Sequence, residues 1–254
     1  MNNVKAVVVI PARYASTRLP MKLVLSEVKA VTGRYIIEHV YQNVRLAKRI
    51  NKVIVATDHR RIFNIVKGFG GEVEMTSSMH TSGTDRIAEV AGRLDADIVV
   101  NVQGDEPEMN AVMVDQVVDA LMEDKEAVMA TLANKIKDAT ELTNPNVVKV
   151  VLDNRGYALY FSRSQIPYAR DSKNPINEQG AVFLRHLGIY AYRRDFLLKY
   201  SKLPASSIEN LEKLEQLRAL SNGYKIKVAI TSYASRGIDT KEDLMAFMER
   251  YKND

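Results

Sequence analysis

Four consecutive β-branched apolar residues, Val7-Val8-Val9-Ile10, run into Pro11 and then into a loop with cations at Arg13, Arg18 and Lys22. A strand apolar at every position reads as one covered on both faces, the signature of a central strand in a parallel sheet. The next apolar positions recur at helical spacing over 35–44, and a second strand pattern follows over 52–56. A helix is predicted over 60–67, closed by Gly68, Gly70 and Gly71, with a short strand over 72–75. The stretch 76–86 is polar and turn-rich and feeds a helix through Leu94, after which the strand 97–102 runs into Gln103-Gly104-Asp105-Glu106-Pro107. Strands alternating with helices at this interval predict βαβ units and a parallel sheet.

The second half is less regular. A helical stripe spans 112–122 and strands are predicted over 127–133 and 147–152, the latter preceded by the turn Asn144-Pro145-Asn146. Asp153-Asn154-Arg155-Gly156 has the turn chemistry of a hairpin into Tyr157–Phe161. The polar segment 162–185 is long enough to suggest a functional loop. A strand over 187–193, a helix over 211–221, a strand over 225–230 and a helix over 241–251 complete the chain, the last with a weak capping box of Thr240 and Asp243. There is no internal repeat and no low-complexity segment.

At 254 residues and 46% apolar content, one α/β domain with a lobe is the expectation. The absence of cysteine excludes disulfides, thiolate metal sites and a cysteine nucleophile. The N-terminus lacks a signal peptide's apolar core, and no apolar run would span a bilayer, so a soluble, cytoplasmic protein without membrane insertion is expected. The net charge of +5 is spread along the chain without a basic block, which suits an anionic pocket at least as well as a nucleic-acid face.

Three cations on the loop after the first core strand suit a polyphosphate, with Ser16 and Thr17 as further donors. The alternative is a solvated surface loop. No G-x-x-x-x-G-K-[ST] and no G-x-G-x-x-G is present, which argues against a P-loop ATPase and a dinucleotide dehydrogenase. Asp105 follows a glycine at the end of a strand, where its carboxylate would face the edge crevice. Taken alone, Asp239 reads as an acid serving a helix N-terminus. Paired with Asp105 across a basic loop, it matches the hard oxygen ligands that Mg²⁺ on a nucleoside triphosphate requires. Arg163, His186 and Tyr190 lie in or beside the long loop, with His186 equally readable as a core-edge histidine. Glu212, Glu215, Gln216 and Arg218 have the spacing of a solvated ion-pair face. His39, His59 and His80 lack zinc-ligand spacing.

Nine segments taken together carry a resemblance. They are Ile10-Pro11-Ala12-Arg13 with Ser16-Thr17-Arg18-Leu19-Pro20, Val55-Ala56-Thr57-Asp58, Ser82-Gly83-Thr84-Asp85-Arg86, Val102-Gln103-Gly104-Asp105-Glu106-Pro107, Ala158-Leu159-Tyr160-Phe161-Ser162-Arg163-Ser164, Ile166-Pro167, His186-Leu187-Gly188-Ile189-Tyr190, Leu214-Glu215-Gln216-Leu217-Arg218 and Gly237-Ile238-Asp239-Thr240. In this order they resemble the 3-deoxy-D-manno-octulosonate cytidylyltransferases, the CMP-Kdo synthetases of lipopolysaccharide biosynthesis, over nearly the whole chain. The resemblance implies an α/β nucleotidyltransferase-type, Rossmann-like fold with a mixed, mostly parallel sheet, and a smaller sugar-binding and dimerisation lobe roughly over 153–200. It also implies a homodimer and the reaction of CTP with an acidic eight-carbon sugar, Kdo, to give CMP-Kdo and pyrophosphate.

By the same analogy Arg13, Arg18 and Lys22 correspond to the triphosphate clamp, and Asp105 with Asp239 to the Mg²⁺ ligands. Gln103, Arg163, His186, Tyr190 and Glu215 correspond to sugar contacts, and Ser82 stands near the cytosine. The chain departs from the family at Met21, where a glycine is usual, and in a longer run to Gly33. Glycine there permits a positive φ that methionine resists. Alternatives within the class are an 8-amino-Kdo or sialic-acid cytidylyltransferase. The alternative from another class is a non-catalytic nucleotide or RNA binder, which the lack of a basic stripe with interleaved aromatics disfavours.

Overall fold

The computed structural model describes residues 4–14, 19–170, 176 and 183–252. Its strands are β1 (Ala6–Ala12), β2 (Lys52–Thr57), β3 (Glu72–Met75), β4 (Ile98–Asn101), β5 (Met129–Lys135), β6 (Lys149–Leu152), β7 (Ala158–Ser162), β8 (Leu184–Arg193) and β9 (Ile226–Ile230). They form one sheet in the order β3-β2-β1-β4-β8-β5-β9, with β6 pairing to β8 and β7 to β6. The pairs β1 with β2, β1 with β4, β2 with β3 and β5 with β9 are parallel, whereas β8 runs antiparallel to both β4 and β5. The sheet is therefore mixed and mostly parallel along its main path, the α/β arrangement expected.

The continuous apolar run of β1 has the predicted cause. Ala6, Val8, Ile10 and Ala12 pack into one core, while Val7 and Val9 pack into another on the opposite face. The first core is closed by α1 (Ser26–Thr32), α2 (Ile36–Val44), α3 (Arg60–Gly68), α5 (Ala111–Glu123) and α10 (Lys241–Lys252). The second is closed by α4 (Gly83–Ala91), α7 (Arg194–Tyr200) and α9 (Leu217–Ser221), while the short α6 (Ala139–Thr143) packs in a small third cluster. A strand sandwiched this way has no solvated face, so alternation disappears from its sequence.

The second half shows where local pattern misleads. The helix predicted over 211–221 is two short helices, α8 (Ser207–Glu212) and α9, broken by Lys213 in the left-handed conformation at φ 53°. The strand expected from Leu187 starts at Leu184, because Leu184 and Arg185 pair with β6 as well as β5. Thr240 and Asp243 do form a reciprocal cap: Asp243 Oδ2 accepts from Thr240 N at 2.9 Å and Thr240 Oγ1 accepts from Asp243 N at 3.1 Å.

Three of the histidines considered for zinc sit in ordinary structural contacts. His39 is buried on α2, its Nε2 2.8 Å from Thr32 Oγ1 and its ring edge-on to Phe247. His59 accepts from Arg61 N as the cap of α3, and His80 pairs with Glu89 at 2.6 Å. Burial, reinforced by the Arg34 charge, lowers the His39 pKa to about 4. The folded state thus binds fewer protons there than the unfolded chain. The resulting stability is complete above the ordinary histidine range and is lost as pH falls from about 6.5 towards 4. Urea unfolding of wild type and His39→Gln should give stability curves that converge on acidification across that window by about 3 kcal/mol. Parallel curves would show that His39 does not carry this loss.

Candidate active site

Topology collects the polar ends. Because β1 and β4 are parallel, both leave the sheet at the same edge, and because β8 is reversed, its entry end lies there too, with Asn101 of β4 opposite Tyr190 of β8. Open α/β sheets bind ligands at such an edge. The loop after β9 returns to it and is fixed by Ile238 N donating to the Asp105 carbonyl at 2.9 Å. Gly104 is required by close approach: a Cβ there would stand 3.0 Å from the Pro11 carbonyl oxygen. The turn that carries Asp105 can thus press against the end of β1.

A cavity of about 280 Å³ opens at this edge, lined by residues that include Arg13, Lys22, Ser82, Gln103, Asp105 and Asp239. At its floor the Lys22 ammonium, on a residue only 8% exposed, sits 2.6 Å from Asp105 Oδ2, 3.0 Å from Asp239 Oδ1 and 2.6 Å from the Ile238 carbonyl oxygen. Both carboxylates therefore address one cation position, in a cavity that Arg13 also lines. Ser82 caps α4, its Oγ accepting from Asp85 N at 3.0 Å. Gln103 Nε2 donates to Asn101 Oδ1 at 3.1 Å. Arg18, Ser16 and Thr17 lie outside the described residues.

Met21 does adopt the left-handed conformation, with φ 58° and ψ 15°. The backbone shape that glycine would favour is kept, and the thioether accepts from the Tyr14 hydroxyl, whose ring stacks on His59 at 3.6 Å. Lys22 is accordingly delivered to the cavity floor despite the substitution.

A second cavity, about 380 Å³, adjoins at Glu106, the neighbour of Asp105, and is lined in part by His186, Gly188, Tyr190, Gln216 and Ser235. Its wall rests on an irregularity. Thr131 of β5 pairs with Tyr190, but Leu132 pairs with Leu187, so β8 carries two extra residues, Gly188 and Ile189. The buried Thr131 hydroxyl fills that bulge, 2.7 Å from the Ile189 carbonyl oxygen and 3.1 Å from that of Leu187. Its one proton goes to these carbonyls, so His186 Nε2, 3.0 Å away, must be the donor to Thr131. Burial lowers the His186 pKa to about 3, which keeps the ring neutral with Nδ1 as an acceptor. Gly188 leaves room for a carboxylate, since a Cβ there would lie 3.3 Å from Glu106 Oε1. Burial first, then the Asp105 and Asp239 charges, raise the Glu106 pKa to about 7, against the Ser235 hydroxyl, which favours the charged form.

Arg163 and Glu215 line neither cavity. Arg163 is held from behind: Nε donates to the Glu212 carbonyl at 2.7 Å and Nη1 to that of Pro145 at 3.0 Å. Its own carbonyl accepts from Lys149, a fully buried ammonium that also donates to the Asn144 and Val147 carbonyls. Glu215 accepts from Thr84 Oγ1 at 2.9 Å, and burial raises its pKa. The ion-pair face expected for 212–218 is thus absent. Glu212 binds Ser162 and the Arg163 backbone, Arg218 pairs with Glu209, and Gln216 is buried. Sequence reasoning also passed over Arg86, which lines the first cavity while donating to Asp58 Oδ2 at 2.6 Å. Its position one helical turn beyond Ser82 was the available signal.

Two carboxylates and a carbonyl around one ammonium form a hard-oxygen cation site, the donor set Mg²⁺ accepts. Among the described residues no cluster of three or more His, Asp or Glu side chains offers an all-protein metal cage. A Mg²⁺ here would take its remaining ligands from phosphate and water.

Comparison with known proteins identifies the family. A family profile described as Cytidylyltransferase matches residues 7–226. The 3-deoxy-manno-octulosonate cytidylyltransferase of Geotalea uraniireducens (strain Rf4) is 48% identical over 253 residues, covering 98% of this chain and 99% of that protein. The protein of the same name from Geobacter sulfurreducens is 46% identical over 249 residues, covering 96% and 98%. Among solved structures, a CMP:2-keto-3-deoxy-manno-octonic acid synthetase complexed with CTP superimposes with a TM-score of 0.90 at 42% identity, covering 98% of this chain and 99% of that one. A 4-diphosphocytidyl-2C-methyl-D-erythritol synthase from Anaerococcus prevotii, 17% identical with a TM-score of 0.62, shares the fold.

Proposed function

The chain belongs to the cytidylyltransferase family, and from that premise we propose that it is a 3-deoxy-manno-octulosonate cytidylyltransferase, converting CTP and Kdo to CMP-Kdo and pyrophosphate. The observation that carries the reading is the single cation position shared by Asp105, Asp239 and Lys22 on the floor of a cavity that Arg13 also lines. The two carboxylates would hold a Mg²⁺ ion, which would supply charge neutralisation at the triphosphate. Arg13, Arg18 and Lys22 clamp the phosphates, and Ser82 at the start of α4 borders the base. The anomeric hydroxyl of the sugar loses its proton to water as its oxygen forms a bond to the α-phosphorus. The bond to the α,β-bridging oxygen breaks, its electrons leaving with pyrophosphate. Alignment and charge are the main contributions of the protein, and no covalent protein intermediate is required.

The second cavity takes the sugar. Gln103, His186 and Tyr190 contact it directly, Arg163 receives its carboxylate, and Glu215 supports the wall between the sugar and α4. The lobe over roughly 153–200 carries sugar binding and dimerisation, and the enzyme works in the cytoplasm as a homodimer feeding lipopolysaccharide biosynthesis, a state that light scattering in solution would check.

The test is pyrophosphate release with CTP and Mg²⁺ against a panel of Kdo, 8-amino-Kdo and sialic acid. Turnover is expected with Kdo and is abolished by a chelator. No turnover with Kdo or its 8-amino analogue would refute the substrate assignment, and salt-sensitive RNA retention without CTP consumption would replace it with a binding function. Arg163→Ala should raise KM for the sugar about 10- to 100-fold, the worth of a charge-assisted hydrogen bond, with little change in KM for CTP. Equal effects on both substrates would show that Arg163 serves the fold instead.

A further inference from the structure

Of the cations on the basic loop, Arg13 and Lys22 line the first cavity, and their immediate neighbours, Tyr14 and Met21, touch each other. Among the described residues Met21 is one of two non-glycine residues with positive φ. A side chain resists that conformation, which persists where the surroundings hold it. Here the Tyr14 hydroxyl donates to the Met21 thioether, Arg61 Nη1 donates to the same sulfur at 3.8 Å, and both Tyr14 and Met21 pack against the first core. Tyr14 is itself fixed, because its ring lies on His59 with the two planes 8° apart, and His59 caps α3 by accepting from Arg61 N at 3.2 Å. The Met21 carbonyl in turn accepts from Val24 N at 2.9 Å and opens the single turn over Lys22–Val24. A glycine would take this backbone shape freely but would bring no acceptor to the two donors.

We infer that Tyr14 and Met21 are positioning residues, whose hydroxyl-to-thioether contact sets the spacing of Arg13 and Lys22 so that the two cations meet a triphosphate already arranged. The inference rests on the cytidylyltransferase reading and deepens it by naming what holds the phosphate clamp in shape before the nucleotide arrives. Charges fixed in advance bind a polyanion without first being gathered, so the gain falls on nucleotide binding. Neither Tyr14 nor Met21 lines the first or the second cavity, so both act through the cations beside them.

A double-mutant cycle of Tyr14→Phe and Met21→Leu tests this, read by calorimetric titration of CTP with Mg²⁺ and by steady-state kinetics with CTP and Kdo. Phenylalanine keeps the ring on His59 and removes only the hydroxyl, and leucine keeps an apolar side chain without the sulfur. Each single variant should weaken CTP binding about 3- to 10-fold, the worth of a neutral hydrogen bond, with KM for CTP rising in step. KM for Kdo and kcat should stay within about twofold of wild type. The double variant should bind CTP no more weakly than the weaker single variant, since one contact can be lost only once. Thermal unfolding without CTP reports whether each variant is folded, and if leucine fails there, Met21→Gly takes its place in the cycle, because glycine needs no support at φ 58°. Effects that multiply in the double variant, an unchanged CTP affinity, or equal losses for CTP and Kdo overturn the inference and reduce the contact to packing. The titration needs no sugar, so wild type that binds CTP but turns over no Kdo refutes the function proposed above, a result distinct from these.

Discussion

Asp105→Asn is expected to lower kcat/KM by roughly 10²- to 10³-fold while leaving the unfolding midpoint nearly unchanged. Asparagine fills the same volume and keeps an oxygen for the Lys22 ammonium, which stands 2.6 Å from Asp105 Oδ2. What it loses is charge. A carboxylate holding Mg²⁺ contributes several kcal/mol of charge stabilisation that is realised only as negative charge moves onto pyrophosphate, and every ~1.4 kcal/mol is a factor of ten in rate. The loss should fall mainly on kcat and should be offset in part by raising Mg²⁺ far above its normal saturating level. Near wild-type turnover in this variant would remove Asp105 from the metal site and, with it, the shared-cation geometry.

The second large effect belongs to Lys22. In the free protein its ammonium neutralises Asp105 and Asp239 together, both only partly exposed to water. A divalent cation held by the same two carboxylates requires that ammonium to leave them, freeing it for the phosphates. Lys22→Met should therefore have opposite consequences with and without metal. In a chelator, two neighbouring carboxylates lose their counter-charge, and the protein should be destabilised by about 2 kcal/mol, less than for a fully buried pair because water screens part of the repulsion. For a chain of this length that is a fall of roughly 4–8 °C in midpoint. Adding Mg²⁺ should restore the variant by more than it raises wild type, since no ammonium must be displaced first. Turnover should stay low because the phosphate clamp is incomplete. Identical responses to Mg²⁺ in wild type and variant would mean that the lysine and the metal do not compete.

What the sequence disclosed follows from where the information was stored. β1 was legible because burial on both faces leaves an uninterrupted apolar run, and Asp105 because a strand ending on glycine announces a sharp turn. Asp239 was legible only in company: its own surroundings match a helix cap, which it does help to form, since its backbone N–H donates to Asp243 Oδ2 at 3.1 Å. The carbonyl-to-amide link from Asp105 to Ile238 that draws the two acids together spans more than a hundred residues and leaves no local trace. Gln216 was hidden for a different reason. The spacing of Glu212, Glu215 and Arg218 on an ideal helix describes a solvated face, and a single left-handed lysine at 213 breaks that helix and rotates the remainder inward. Nothing in the identity of Lys213 announces it. Arg163 and Glu215 line neither cavity, and only the family resemblance pointed to them.

Thr131 makes the wall of the second cavity depend on a hydroxyl buried inside the sheet. One proton, shared between two carbonyls of a neighbouring strand, decides which side chains of that strand look outward. A core substitution can therefore reshape the cavity wall without touching it. A mutational map ranked by distance to the cavity would file this threonine with the packing residues, although the outlook of a neighbouring strand rests on it.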